Sequence, residues 1–394
     1  MKQMECLNLH PRKIFCKGIL MKHFVIFNIG QKFSLFFVSL LIFLACERIA
    51  VPSYHTVVDA GYSGTPGKII DNSPTFATIG EALAAVPEDN ESPFIIFIRK
   101  GRYHEKLSVD KANITFLGES RDETIISYDA SGDSPDPQGG TYGTWGSFTL
   151  RITAPDFRAE NLTIENGFDY PANAAKLDDD PTKVQNPQAV ALMTDAGSDR
   201  AVFRNCKIVG YQDTMFANAG RHYFYQCQIM GHVDFIFGAG QAVFHDCDIV
   251  SRNRRRKNPT GYVTAASTPI MYPYGFLFVD SRLVKESPEI PDGSVRLGRP
   301  WHPAADPSVS GSAVFVRCYM DDHIGPAGYA RISSRDSTGK RIWFDLEAGS
   351  RFFEYASYGP GAISSPDRPT LNEKAAEWYT PDQVLNGWVP PGTD

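Results

Sequence analysis

Five copies of one short pattern constrain this chain more than anything else in it. Phe203-Arg-Asn-Cys206-Lys-Ile208 recurs as Phe224-Tyr-Gln-Cys227-Gln-Ile229 and as Phe244-His-Asp-Cys247-Asp-Ile249. Phe278-Val-Asp-Ser281-Arg-Leu283 and Phe315-Val-Arg-Cys318-Tyr-Met320 are weaker copies. The first three lie 21 and 20 residues apart, and the last two follow after 34 and 37, as if loops were inserted into single turns. Within each copy Cys-x-Ile alternates apolar and polar, the mark of a half-buried strand. Short strands returning about every 20 residues predict a solenoid whose coils stack on one another. Parallel strands need both faces accounted for, and a β-helix does this by burying one inside the coil.

Upstream segments fit the same architecture. Phe94-Ile-Ile-Phe-Ile98, Ile114-Thr-Phe116 and Leu162-Thr-Ile164 read as further strands. Thr78-Ile-Gly-Glu81 is a capping box, with Ile79, Leu83 and Val86 on one helical face. This short N-terminal helix would cover the open end of the solenoid, which otherwise exposes strand edges. A second short helix is expected around residues 372–378. The class is therefore all-β, a single-stranded parallel β-helix with long loops, and residues 46–394 read as one domain.

Residues 1–45 read as a targeting segment. The run Phe33-Ser-Leu-Phe-Phe-Val-Ser-Leu-Leu-Ile-Phe-Leu-Ala45 carries no charge and follows Lys22 and Lys32. That length suits the apolar region of a signal peptide and is short for a membrane span. Met21 is a more natural start than Met1. Cys46 follows Leu44-Ala45, which fits a bacterial lipoprotein site and a lipid anchor, although Phe43 stands where Leu is usual. Simple cleavage just beyond it is the alternative. The whole chain is −6, and its first 45 residues carry an excess of positive charge. The remainder is therefore strongly acidic, which argues against nucleic acid as a partner.

The repeats also align chemistry. Cys206, Cys227 and Cys247 hold one place in successive coils, so they should stack roughly 4.8 Å apart. That spacing admits one disulfide, of undetermined pairing, or a ladder of small buried hydrophobes. No second Cys or His cluster has metal-ligand spacing. Asp213 lies ten residues after Phe203, and Asp234 ten after Phe224, in Gly210-Tyr-Gln-Asp213 and Gly231-His-Val-Asp234. Two carboxylates one coil apart cannot both ionise freely, so one pKa rises. That division gives an ionised nucleophile or base and a protonated acid. Two solvated turn aspartates would share the pattern. The third repeat places Arg254 there, inside Ser251-Arg-Asn-Arg-Arg-Arg-Lys257, read as a solvated basic loop or a site for an anionic polymer.

At this point the residues resemble a known family. Gly210-Tyr-Gln-Asp-Thr-Met215, Gly231-His-Val-Asp-Phe-Ile-Phe-Gly238 and Leu297-Gly-Arg-Pro-Trp301 are similar to signature blocks of pectin methylesterases. Gln188-Ala-Val-Ala-Leu192 and Gly101-Arg-Tyr-His-Glu105 are similar to two more, and the likeness is to the bacterial branch. Met215 stands where Leu is usual, and Lys176-Leu-Asp-Asp-Asp180 lacks the plant pattern. The resemblance implies a right-handed β-helix, pectin as substrate and no cofactor. It implies Asp234 as nucleophile on a galacturonate methyl ester and Asp213 as acid, then base. Gln188 and Gln212 would donate to the oxyanion, Arg299 would hold Asp234 ionised, and Trp301 would face a sugar ring. Phe237 and Tyr211 are further cleft aromatics, or packing, and His232 reads as a turn residue without a task.

Rival readings are a polygalacturonase or pectate lyase on the same fold, and an envelope lipoprotein acting on another ester or thioester. A solenoid that only binds polysaccharide is a third. A monomer, secreted or held at the cell envelope, completes the expectation.

Overall fold

A computed structural model describes residues 54–255, 259–346 and 350–392. The targeting segment, Cys46 and the stretch 256–258 of the basic loop lie outside the described residues. The rest winds into a parallel β-helix of three long sheets, with 12, 8 and 7 strands. Strands of every third segment pair in parallel, so one coil sits on the next.

The repeat pattern is the register of this stack. Phe203 pairs with Phe224, Phe224 with Phe244, Phe244 with Phe278, and Phe278 with Phe315 in the first sheet. Their rings stack face to face, 4.6, 4.9, 4.6 and 4.6 Å apart. In the second sheet Ile208, Ile229, Ile249, Leu283 and Met320 form the matching apolar row. All of these side chains are buried inside the coil.

The corner between those two sheets is a single residue. Asn205, Gln226, Asp246, Asp280 and Arg317 each precede the Cys or Ser of the repeat, with φ of 47, 54, 53, 52 and 52°. The left-handed conformation turns the chain sharply, and Asn and Asp tolerate it best among residues with a Cβ. The polar corner side chains then pair along the axis, as Asn205 Nδ2 does with Asn161 Oδ1 at 2.8 Å and Arg317 Nε with Asp280 Oδ1 at 2.7 Å.

The four described cysteines, Cys206, Cys227, Cys247 and Cys318, are free, so of the two readings of the stack it is the ladder and not the disulfide that forms. Each thiol donates back one coil to a carbonyl: Cys206 to Ala159 at 3.3 Å, Cys227 to Phe203 at 3.4 Å and Cys247 to Phe224 at 3.5 Å. Ser281, the one non-Cys member, bonds Phe244 O in the same way at 3.0 Å. The row is a hydrogen-bonded ladder of small side chains filling the inside of the corner.

Helix α1 (Ile79–Ala84) is where the capping box placed it, and Thr78 and Glu81 make both reciprocal bonds. Ile79, Ala82 and Val86 are buried, with Leu83 packed against the core beside them. Glu105 adds a second anchor by accepting from Ile79 N and Gly80 N, both at 2.9 Å. Near the C-terminus a short helix, Glu373–Ala376, lies inside the expected helical stretch. A further helix, Pro381–Val384, caps on Thr380. Its Val384 and Leu385 join Val202, Tyr223, Val243, Leu277 and Val314 in a second apolar cluster. The outer face of the first sheet is thus covered by the chain's own tail.

Candidate active site

The third sheet carries the site on its outer face. Leu150, Leu192, Met215 and Ile236 stack inward, so alternation turns Phe216 and Phe237 outward. Phe216 and Phe237 stack at 4.2 Å and pack with Phe148, Val190, Met193 and Ala265, with Trp301 against them. This apolar floor underlies a cavity of about 440 Å³.

Asp213 enters that cavity from the turn just before the strand Met215–Ala217, and Asp234 from within the strand Val233–Gly238, where the register shifts between Val233 and Ile236, with φ of 59 and 49°. Both aspartates share the left-handed conformation of the coil corners, which Asp tolerates better than most residues with a Cβ. The turns leave no room for a side chain at their first residue. A Cβ on Gly231 would sit 2.2 Å from that of Phe235, and one on Gly210 2.8 Å from Thr214 Oγ1. Coil stacking brings the rest into line, since Gln188 bridges to Gln212 and Gln212 to Val233.

Arg299 comes from the C-terminal side. Its amide bonds Thr264 O at 3.0 Å and that of Trp301 bonds Ala266 O at 3.2 Å, which continues the ladder and presents both side chains on the cavity face. Arg299 grips Asp234 with Nε on Oδ1 at 2.9 Å and its second nitrogen on Oδ2, and lies 4.0 Å over the Tyr262 ring. Both partners of the ion pair are largely buried. Burial opposes the Arg299 charge, but the Asp234 carboxylate outweighs it and holds the pKa above its ordinary value. Asp213 is pushed well above the usual carboxylate range, first by burial and then by the Asp234 charge, against Arg299 and a bond from Gln212. The two carboxylates are therefore electrostatically unlike: one ion-paired, one poised to keep its proton.

The cavity brings together Gln188, Gln212, Asp213, Asp234, Phe237, Arg299 and Trp301 from the sequence-derived set. Phe237 is only 3% exposed, so it builds the floor more than it meets a ligand. Tyr211 is not among the lining residues. It sits behind the turn, stacked on Tyr170 at 5.5 Å and under the Arg252 guanidinium at 3.8 Å. Of its two readings, cleft aromatic or packing, this geometry is that of packing. His232 is buried beside it, edge-on to Tyr170 at 4.3 Å. Arg254 also stays out of the cavity, with Nε 3.3 Å from Tyr170 Oη. Sequence reasoning missed Thr144, Trp145, Phe216, Ile332, Ser333 and Trp343, which also line the cavity. Phe216 was within reach, because it is the coil partner of Phe237; the others come from loops with no periodic signal. Among the described residues one group, Asp321, Asp322 and His323, brings donor atoms close enough to share a cation, and Lys285 already pairs with Asp322.

Comparison with known proteins identifies the family. A family model described as Pectinesterase matches residues 69–387. Pectinesterase A of Dickeya chrysanthemi is 43% identical over 359 residues, covering 88% of this chain and 97% of that protein. The crystal structure of a pectin methylesterase from Erwinia chrysanthemi superimposes with a TM-score of 0.80 at 44% identity, covering 86% of this chain and 98% of that one. The pectin methylesterase from carrot superimposes with a TM-score of 0.66 at 27% identity, covering 86% and 95%. With the family matched over most of its length and a bacterial relative at this identity, the chain belongs to the pectinesterase family.

Proposed function

We propose that this chain hydrolyses the methyl esters of polygalacturonate through an acyl-enzyme on Asp234. The observation that carries the reading is the pair of unlike carboxylates, Asp234 ion-paired to Arg299 and Asp213 with its pKa raised beside it. An ionised Asp234 oxygen attacks the ester carbonyl carbon, and charge builds on the carbonyl oxygen. Gln188 and Gln212, which line the cavity, donate to it. The tetrahedral species collapses, the bond to the methoxy oxygen breaks, and Asp213 supplies the proton that releases methanol. Asp213, now a carboxylate, takes a proton from water. The hydroxide attacks the mixed anhydride, Asp234 leaves as a carboxylate, and the sugar acid and protonated Asp213 are restored. Every atom balances as ester plus water to acid plus methanol, and residues of this chain supply every proton transfer.

The test is methanol release from highly methylated pectin, with polymer viscosity followed alongside. The reading expects methanol with chain length unchanged, and its loss in Asp234→Asn and Asp213→Asn. Falling viscosity would point to a glycosidase or lyase, and a folded wild-type protein releasing no methanol would send the reading to other esters or thioesters.

Export belongs to the same proposal. The uncharged run before Cys46 and the acidic remainder support cleavage of residues 1–45 and delivery of residues 46–394 to the cell exterior or envelope, as a monomer. Intact mass of the mature protein separates the two forms: a lipid-modified Cys46 at the N-terminus means a tethered enzyme, an unmodified start means a free one.

A further inference from the structure

One arginine of the basic run 251–257 turns inward, and the mechanism gives it no task. Arg252 directly follows the strand Asp248–Ser251. It stands eight residues after Phe244, the place that Tyr211 and His232 hold after Phe203 and Phe224. Its side chain is only 16% exposed, so it is not part of a solvated basic surface. It is not among the residues that line the cavity either.

Its bonds reach both segments that carry the catalytic aspartates. The Arg252 amide donates to Gly231 O at 2.7 Å, in the run Gly231-His-Val-Asp234. The guanidinium reaches one coil further back. One terminal nitrogen donates to Gly210 O at 3.0 Å and the other to Tyr211 Oη at 2.9 Å, with the group 3.8 Å from the centre of the Tyr211 ring. Gly210 and Tyr211 lead straight into Gln212 and Asp213. The remaining donor, Nε, goes to Glu286 Oε1 at 3.0 Å. Glu286 is itself fixed, since its Oε2 accepts from Asn253 N at 3.2 Å and its amide bonds Ser251 O at 2.9 Å. A guanidinium is a planar fork, so acceptors on its three nitrogens are held at a set mutual geometry. The side chain is thus a strap across two coils, aimed by Glu286 and fastened to the turn 210–213.

We propose that Arg252 is a positioning residue for the proton donor: clamped by Glu286, it sets where the turn 210–213 holds the Asp213 carboxyl against the oxygen of the departing alcohol. The proposal rests on the ester-hydrolysis reading above and adds what keeps its acid in place. General acid catalysis is worth about 10²–10⁴-fold, and a displacement of about 1 Å can cost about 10²-fold. The proton from Asp213 matters most when the alcohol is as weakly acidic as methanol. A trifluoroethoxide, far less basic, departs with little help. Loosening the turn should therefore slow the methyl ester much more than the trifluoroethyl ester. A loss of folded enzyme scales both alike.

The experiment measures kcat/KM, which covers the steps up to alcohol release, for the methyl and the trifluoroethyl esters of trigalacturonate with the full chain. Arg252→Met should lose about 10²-fold on the methyl ester and no more than about fivefold on the trifluoroethyl ester. Inhibition by unesterified trigalacturonate should stay within about twofold of wild type, because Arg252 does not line the cavity. Glu286→Ala should shift the ratio of the two esters in the same direction by about tenfold. Glu286→Gln keeps an oxygen for Arg252 Nε and should restore the ratio to within about twofold of wild type. The double variant of Arg252→Met with Glu286→Ala should be no worse than Arg252→Met, since Glu286 acts through the arginine. Equal losses on both esters in Arg252→Met, or no loss on either, overturn the proposal. If that variant does not fold, Glu286→Ala, at a side chain 30% exposed, decides by the same ratio. Wild-type protein that releases neither alcohol overturns the functional reading and this proposal together.

Discussion

Arg299 bonds both oxygens of Asp234 but reaches Asp213 only through space, and that difference sets what substitution does at each position. Asp234→Asn leaves a buried guanidinium without its counter-charge, so stability should fall by about 1–3 kcal/mol in a denaturant melt. Activity should fall by a factor on the order of 10⁴ or more, since the nucleophile itself is gone. Asp213→Asn should act in the opposite sense on stability. Folded Asp213 keeps its proton to higher pH than an unfolded aspartate. Between those two pKa values the folded state therefore binds more protons, and stability drops as pH rises through that window. The asparagine variant escapes this loss. Its melting temperature should match wild type below the ordinary carboxylate range and exceed it at neutral pH. Both aspartates were legible in the sequence because the repeat indexes them. For Tyr211 the sequence left cleft and packing both open, because position in a signature block says nothing about which way a side chain points, and this one lies against Arg252.

At the scale of elements, the cysteine ladder yields a sharp expectation. Ser281 already occupies one rung and makes the same bond as the thiols. Cys227→Ser should therefore cost less than about 1.5 kcal/mol, whereas Cys227→Leu should cost about 1–3 through overpacking of a filled corner. A thiol reagent should label none of Cys206, Cys227, Cys247 and Cys318 in the native protein and all four on unfolding, since all are buried and free. Sequence spacing could place these residues one coil apart but could not choose between a bridge and a ladder. That choice depends on where each sulfur points, and carbonyls of earlier coils capture them. Helix α1 was readable to within a residue because its capping box is a local motif. The turn at Gly143–Gly146 and the hairpin of Ile332–Arg335 and Arg341–Phe344 were not, because they are held by Lys106 and by His302 from distant parts of the chain.

The molecule as a whole is closed differently at its two ends. α1 plugs the first coil, and the C-terminal tail folds back along the side of the stack. That tail is tied by Arg368, whose guanidinium bonds Glu354 through Nε at 2.7 Å and reaches Gly361 O at 2.6 Å, with both partners of the ion pair buried. Arg368→Ala strands a buried carboxylate on the last long strand. It should lower stability by about 3–5 kcal/mol, read by chemical denaturation, and the double variant Glu354→Leu with Arg368→Met should recover most of it. Because coils contact mainly their neighbours, the damage should spread from the C-terminal end and be seen there first in amide exchange.

The one-residue corners between the first and second sheets turn by backbone conformation alone, and Asn, Gln, Asp and Arg all serve. Their side chains project from one edge of the rod at the spacing of the coils. The edge is in effect a ruled scale, graduated once per turn, on which different polar residues stand at successive marks. Charges, labels or binding groups written along it would stand at regular intervals about 4.8 Å apart, set by the stack rather than by any linker, without touching the buried rows or the catalytic face.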